Sequence, residues 1–303
     1  MLQSPSLFFS TADLQLARDN LQREPVKSAA AMLDAPPGEP LAKAQALALR
    51  YALRGEREDG FAALVALGEL EPATDGAGLS AHQQALGKLA TLAMLRDLPG
   101  GDAALKDEGA RLPLPLPAGD ALGEFWAAAV AMARGCLLDD AAHLDRAATS
   151  YRQAIDQRIH PEGYIRGLVD MEHKRDGAHT YQRQLSATCA LALIAEMALQ
   201  CGVNLWTYEK RAVSIHTAAV YTHYYYHFPE RWPWGDGLSR VHTEAAMRRE
   251  GAFYELVNRQ QPQRGIEALF AEQRPLFCAY AGGLTTLTHG APRPKKRRRW
   301  KLW

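Results

Sequence analysis

Between His160 and Gln184 the chain places three His, three Arg, one Lys and two Tyr just ahead of a long apolar stretch. Residues of these types can handle an acidic sugar. An Arg such as Arg175 or Arg183 neutralises a uronate carboxylate, best in a bidentate pair. That lowers the barrier to removing the proton α to the carboxylate. A Tyr or His, here Tyr181 or His179, can take this proton and return one to a leaving glycosidic oxygen. His179 and Arg183 are four apart and share one face of a helix that starts near Thr180. The bland reading stays open beside it: a solvated helix start whose charges meet only water.

A second cluster runs from Tyr221 to Asp236 and is built mostly from Tyr, His, Phe, Trp and Arg. Aromatic faces stack on sugar rings and their polar edges bond hydroxyls. Tyr225, His227, Trp232 and Trp234 are the candidate contacts here, with Trp126, Glu124 and Gln184 elsewhere. The alternative is a helix end whose aromatics cap the core under a Pro/Trp loop. Tyr224, Tyr225 and Tyr226 point around a helix, so not all three can line one groove.

Other chemistries find no support. There is no HExxH spacing, no phosphate-binding glycine loop and no GxSxG elbow. No metal site and no cofactor are expected. The four cysteines form no CxxC pair, and Cys189 and Cys201 lie too far apart on one helix for a disulfide. Reduced, buried thiols are expected. Net charge is +1 over 303 residues, with 47% hydrophobic and 23% charged residues, a globular balance. No run of eighteen apolar residues marks a membrane span. The N-terminus lacks the basic and apolar regions of a leader. The expected location is therefore the cytoplasm if the chain is complete, and the periplasm or exterior if a leader was removed.

The elements that must hold these residues are helices. Helical periodicity marks Thr11 to Met32, Leu41 to Leu53, Phe61 to Leu70, Leu79 to Leu95, Ala118 to Cys136 and Ala141 to Arg158. It continues over Arg183 to Gln200, Leu205 to Phe228, Val241 to Val257 and Ile266 to Glu272. The alternating prolines of Leu112 to Pro117 make an extended connector. Only Gly283 to Leu287 offers a strand. About ten helices with unequal hairpins and no fixed repeat favour a toroid of antiparallel hairpins around a cleft over an open solenoid. A single domain over 1–290 and a basic tail over 291–303 are expected. The tail, Arg293 to Lys301 with Trp300 and Trp303, could contact a polyanion, but nucleic acid is not the expected partner and a solvated tail is the simpler reading.

Several segments taken together resemble the alginate lyase superfamily of polysaccharide lyases. They are Glu162-Gly163-Tyr164-Ile165, Gly202-Val203-Asn204-Leu205-Trp206, Gly251-Ala252-Phe253-Tyr254-Glu255, Gln273-Arg274-Pro275-Leu276 and Gly282-Gly283-Leu284-Thr285-Thr286-Leu287. The stretch Ala44-Gln45-Ala46-Leu47-Ala48 with Arg50-Tyr51 is similar to helices of uronate lyase toroids. The resemblance covers roughly Leu41 to Leu287 and is strongest after Glu124. It implies an all-α, incomplete α/α toroid, β-elimination on a uronate-containing acidic polysaccharide, and no obligatory cofactor. The chain departs from the family at an Asn-His pair a few residues ahead of a Trp. Trp126 matches the Trp, while the pair falls on Leu122 and Gly123. A gapless match through Gly202 puts the family's Arg on His179 and its Tyr on Ser186. A shifted match puts the Arg on Arg175 or Arg183 and the Tyr on Tyr181. The alternatives to a lyase are a non-catalytic carbohydrate-binding relative and an α-helical scaffold for another protein.

Overall fold

The computed structural model describes residues 4, 6–71, 79–111, 121–170 and 176–290. Among these residues the regular elements are all helices, and extended pairings occur only as isolated bridges. The Leu112 to Pro117 connector, Arg175 and the basic tail lie outside the described residues.

Seven helices make up most of the first half: α1 (Thr11–Asp19), α2 (Val26–Met32), α3 (Pro40–Arg54), α4 (Arg57–Gly68), α5 (Leu79–Leu95), α6 (Gly101–Ala110) and α7 (Ala121–Leu138). Then follow α8 (Ala141–Gln153), whose last turn widens into a π-helical turn at Ala154–Arg158, and α9 (Gly177–Gln200). The C-terminal part holds α10 (Ile215–His227), α11 (Arg240–Glu250), α12 (Phe253–Gln260), α13 (Arg264–Gln273) and α14 (Thr285–His289).

The packing order defines the architecture. Helices α3, α5, α7 and α9 touch in succession and form an inner row, while α4, α6 and α8 each pack outside a neighbour in hairpins. At the end of the chain α12 and α14 return to α9, α1 and α2. This is an all-α, incomplete α/α toroid. Composition explains which helix lies inside. From Gln184 to Ala198 every residue of α9 is buried, which requires an all-round apolar helix. α7 is long and apolar enough to cross a membrane, yet two thirds of it (67%) is buried within the protein. α8 is amphipathic and lies outside, with only Ala147, Ala148 and Tyr151 buried. Small residues let the rows approach: a Cβ on Gly135 would sit 2.6 Å from Leu144 Cγ, and one on Gly87 2.8 Å from Leu41 Cδ2.

Several elements differ from the periodicity reading. Thr11 to Met32 is two helices: the first stops at its Asn20 cap, and Pro25 caps the start of the second. α6 is an additional helix whose apolar period is weak. The segment 205–214 is a loop, with Arg211 and Ala212 left-handed at φ 54° and 58°, and α10 begins only at Ile215. Val241 to Val257 splits at Gly251-Ala252. The candidate strand Gly283 to Leu287 instead opens α14, after a turn in which Gly282 and Gly283 take φ of 90° and 71°. The cysteines also differ in part. Cys136 of α7 and Cys201 after α9 form a disulfide with Cα atoms 6.0 Å apart, while Cys189 and Cys278 are free and buried. Helix packing joins residues 65 apart in sequence, which spacing along one helix could not show.

Candidate functional site

α9 organises the site, and its two polar faces do different work. His179, Gln182, Arg183 and Ser186 recur at helical spacing and share one face. Along this face exposure falls from His179, which is exposed, through half-buried Gln182 and Arg183 to buried Ser186. The floor comes from other elements. Trp126 of α7 is fully buried and donates its indole N–H to Ser186 Oγ at 3.1 Å. Tyr280 meets the Trp126 ring edge-on at 5.4 Å. Glu250, the last residue of α11, accepts a hydrogen bond from Gln182 Nε2 at 2.6 Å. Burial pushes the Glu250 carboxyl up to about 7.

The opposite face is structural. Tyr181 is enclosed (0% exposed), donates its hydroxyl to Thr222 O at 3.1 Å and packs edge-on against Trp232 at 5.5 Å. Burial, reinforced by the neighbouring phenols of Tyr254 and Tyr226, pushes it well above the usual tyrosine range. A proton-accepting role for Tyr181 is therefore corrected: its hydroxyl is enclosed, and burial outweighs the Arg240 charge that favours its anion. Gln184 is likewise corrected from a substrate contact to a clamp. Its Oε1 accepts from Ile165 N at 2.9 Å and its Nε2 donates to Gly163 O at 3.1 Å, so the loop saturates its amide.

The aromatic segment lies against the start of α9. Gly177 N donates to Asp236 O at 2.8 Å, and the Thr180 hydroxyl joins two links, accepting from Trp232 Nε1 and donating to Trp234 O, both at 2.8 Å. Around this anchor the rings form a continuous wall. Trp234 is half-buried, donates to the Tyr221 hydroxyl at 2.7 Å and lies 4.8 Å from the Tyr164 ring, which stacks on His160 at 4.5 Å. Tyr225 sits between Tyr221 at 4.9 Å and Trp232 at 5.0 Å. The wall thus presents His160, Tyr164, Tyr225 and Trp234 part-exposed, while Trp232 is buried behind them. Gly163 is required for the close approach. Its φ is 109°, and a Cβ there would lie 2.5 Å from Tyr221 Cβ and 2.7 Å from Thr217 O.

His227 is not part of this wall. It lies two residues from Tyr225, on the far side of α10, paired with His223 at 4.8 Å against Gly265 of α13. Desolvation lowers both imidazoles. Glu124 is exposed near the start of α7 and meets Arg158 at 3.6 Å, a surface pair. Trp126, fully enclosed, supports the floor through Ser186 and is not an exposed stacking surface. Gln182 and Ser186 were legible as helical neighbours of His179 and Arg183. Glu250 and Tyr280 come from distant segments and carry no local signal. Among the described residues no group of three or more His, Cys, Asp or Glu gathers to hold a metal ion.

His179 and Ser186, the positions of the gapless match, share the face that ends on Trp126. Tyr181, required by the shifted match, points the other way.

Residues 124–232, from Glu124 through α9 to Trp232, match the alginate lyase family profile. Over this stretch the chain is similar to alginate lyases. Its fold is similar to that of a variant of alginate lyase A1-III complexed with tetrasaccharide, at TM-score 0.71, 14% identity and 97% coverage of both chains. Alginate lyase A1-III from Sphingomonas species A1 superposes at TM-score 0.68 with 15% identity, over 84% of this chain and 76% of that one. An alginate lyase from Bacteroides ovatus gives TM-score 0.61 and 14% identity, over 83% and 73%. A search of curated proteins finds no match. The chain shares the fold of these structures and carries Trp126 on α7. It carries buried Leu122 and Gly123 where the resemblance places an Asn-His pair.

Proposed function

We propose that this polysaccharide lyase-like protein cleaves a uronate-containing acidic polysaccharide by β-elimination. The supporting observation is the His179–Gln182–Arg183–Ser186 face, which grades from solvent to the protein floor beside a wall of sugar-sized aromatic rings. In this reading Arg183 offsets the charge that develops on the substrate carboxylate, the role most sensitive to a fixed cation. His179 removes the proton α to that carboxylate. The C–H electron pair becomes the new C=C bond, the β C–O bond breaks, and the leaving oxygen takes a proton back from the His179 imidazolium. Tyr164, Tyr225 and Trp234 hold the flanking sugar rings. Incubation with alginate, polygalacturonate and glycosaminoglycan uronates should give a rise in ultraviolet absorbance from the unsaturated product with at least one of them.

One observation favours a second reading. The positions of the Asn-His pair are apolar and buried, and Tyr181 is sealed in the core, so acid–base groups on the site are few. A carbohydrate-binding relative without turnover has the same wall and floor. Oligosaccharide binding by calorimetry with no absorbance change on any polymer supports that reading over the lyase.

A further inference from the structure

Glu250 and Gln182 form a buried pair with an imbalance. Glu250 is 4% exposed. Gln182 Nε2 donates to Glu250 Oε1. The other two oxygens of the pair, Glu250 Oε2 and Gln182 Oε1, are both buried and both lack a partner. A carboxylate beside an amide leaves two buried acceptors with no donor between them, a costly arrangement. A single proton corrects both. A carboxylic acid and a primary amide pair as a ring, in which the amide N–H donates to the acid carbonyl and the acid O–H donates to the amide oxygen. One side of that ring is already made, and the two unpartnered atoms are the ones the other side requires.

We propose that Glu250 is carried as a neutral carboxylic acid closed onto Gln182, and that this acid–amide pair is a positioning device that fixes the polar face of α9 for its ligand. The ligand half of this inference rests on the glycan reading above. The site around the pair agrees with a neutral acid. Burial is the largest influence on Glu250 and raises it. The Ser186 and Tyr280 hydroxyls beside the carboxyl, with Gln182 and Arg249, pull it down, and burial outweighs them. The titratable neighbours are Cys189 of α9 and Cys278 and Tyr280 of the C-terminal loop. Burial raises all three, with Cys278 pushed up to about 12, so they are uncharged near neutrality. Arg249 on the same helix is the nearby cation. Its Nε is 3.8 Å from Glu250 Oε1 and its side chain is 58% exposed, so it is largely hydrated.

The test compares wild type with Glu250→Gln and Glu250→Ala across the interval from one pH unit below to one above about 7. The Gln variant replaces the acid O–H by an amide N–H that donates to Gln182 Oε1 and never ionises. Three readouts are taken: thermal midpoint, the infrared carbonyl band of a protonated carboxyl, and calorimetric affinity for a saturated oligouronate tetramer. The wild-type midpoint is expected to fall with rising pH relative to Glu250→Gln, and the protonated-carboxyl band to be present in wild type and missing in the variant. Wild-type affinity is expected to fall relative to the variant by up to about tenfold per unit above the midpoint, the limit for one linked proton. Glu250→Ala should lose affinity at every pH, and Glu250→Gln should restore it. Midpoints that run parallel, or no infrared difference, overturn the neutral acid. Diverging midpoints with parallel affinities overturn the positioning role. If wild type binds no uronate at any pH, the glycan reading and the positioning role fall together, while midpoint and infrared still decide the acid.

Discussion

His179 and Arg183 are one turn apart on the solvent side of α9, and Tyr181 between them faces the core. That geometry separates their variants. His179→Ala and Arg183→Ala should each reduce uronate cleavage by about 10²–10⁴, the scale of acid–base and charge-stabilising groups, with circular dichroism unchanged. Tyr181→Phe should leave the turnover number intact. It should cost about 1 kcal/mol of stability through the lost hydrogen bond to Thr222 O. A large rate loss in Tyr181→Phe with an unaltered melting midpoint would reverse this assignment. A second residue-scale effect concerns His223 and His227, whose pKa values desolvation holds below the ordinary 6.5. The unfolded chain binds more protons than the folded one below that value. Their contribution is thus present above pH 6.5 and is lost as pH falls toward the folded values. The facing groups are Gly265 of α13, with Arg240 and Glu272 near His227. Melting midpoints should drop on acidification, and a His223→Gln, His227→Gln double variant should flatten that slope. Glu250 acts in the other sense, since its raised pKa removes stability as pH rises through about 7.

At the scale of elements, the aromatic wall is held by connections rather than by its own helix. Gln184 ties the 163–165 loop to α9, and Thr180 ties the 232–234 loop to the same helix. Gln184→Leu should leave Ile165 N and Gly163 O unpaired, cost about 1–3 kcal/mol and loosen the His160–Tyr164 stack. Its signature is faster amide exchange confined to residues 160–166. The two tryptophans of the wall should separate in the same way as the tyrosines. Trp234→Ala, half-exposed, should weaken oligouronate binding by about 0.5–1.5 kcal/mol, the worth of one aromatic contact. Trp232→Ala, buried with its indole N–H on Thr180, should instead destabilise the fold by about 3–5 kcal/mol. Equal binding losses with equal stabilities would show that both rings meet the ligand.

For the whole molecule, the closing contact lies at the C-terminus. Arg274 pairs with both oxygens of Glu255 at 2.7 Å, stacks on Phe270 at 3.9 Å, and Glu255 also accepts from Thr286. One carboxylate therefore joins α12, α13 and α14. Glu255 is 1% exposed, so Arg274→Ala would strand a buried charge and should cost about 3–5 kcal/mol in denaturant unfolding. An Arg274→Ala, Glu255→Gln double variant should recover much of that loss, because the uncompensated charge is gone. Parallel losses in the single and double variants would show that the Arg274 stack, not its charge, closes the toroid.

Much of this architecture is legible in the sequence. Helical periodicity is a local property, and an inner helix must be apolar all round, so α5, α7 and α9 could be read from residues alone. So could the polar start of α9 and the density of rings between Tyr221 and Trp234. What the sequence could not determine is direction and partnership. Tyr181 and Arg183 are two residues apart and both eligible for the site by type, yet packing of α9 against α10 seals one and leaves the other half-buried. Gln184 is a plausible sugar contact by type, and only the fold shows that the 163–165 loop saturates it. Glu250, Tyr280 and the Cys136–Cys201 bond depend on segments far apart in the chain. Their proximity is set by how helices pack, and packing is a long-range property that no local pattern encodes.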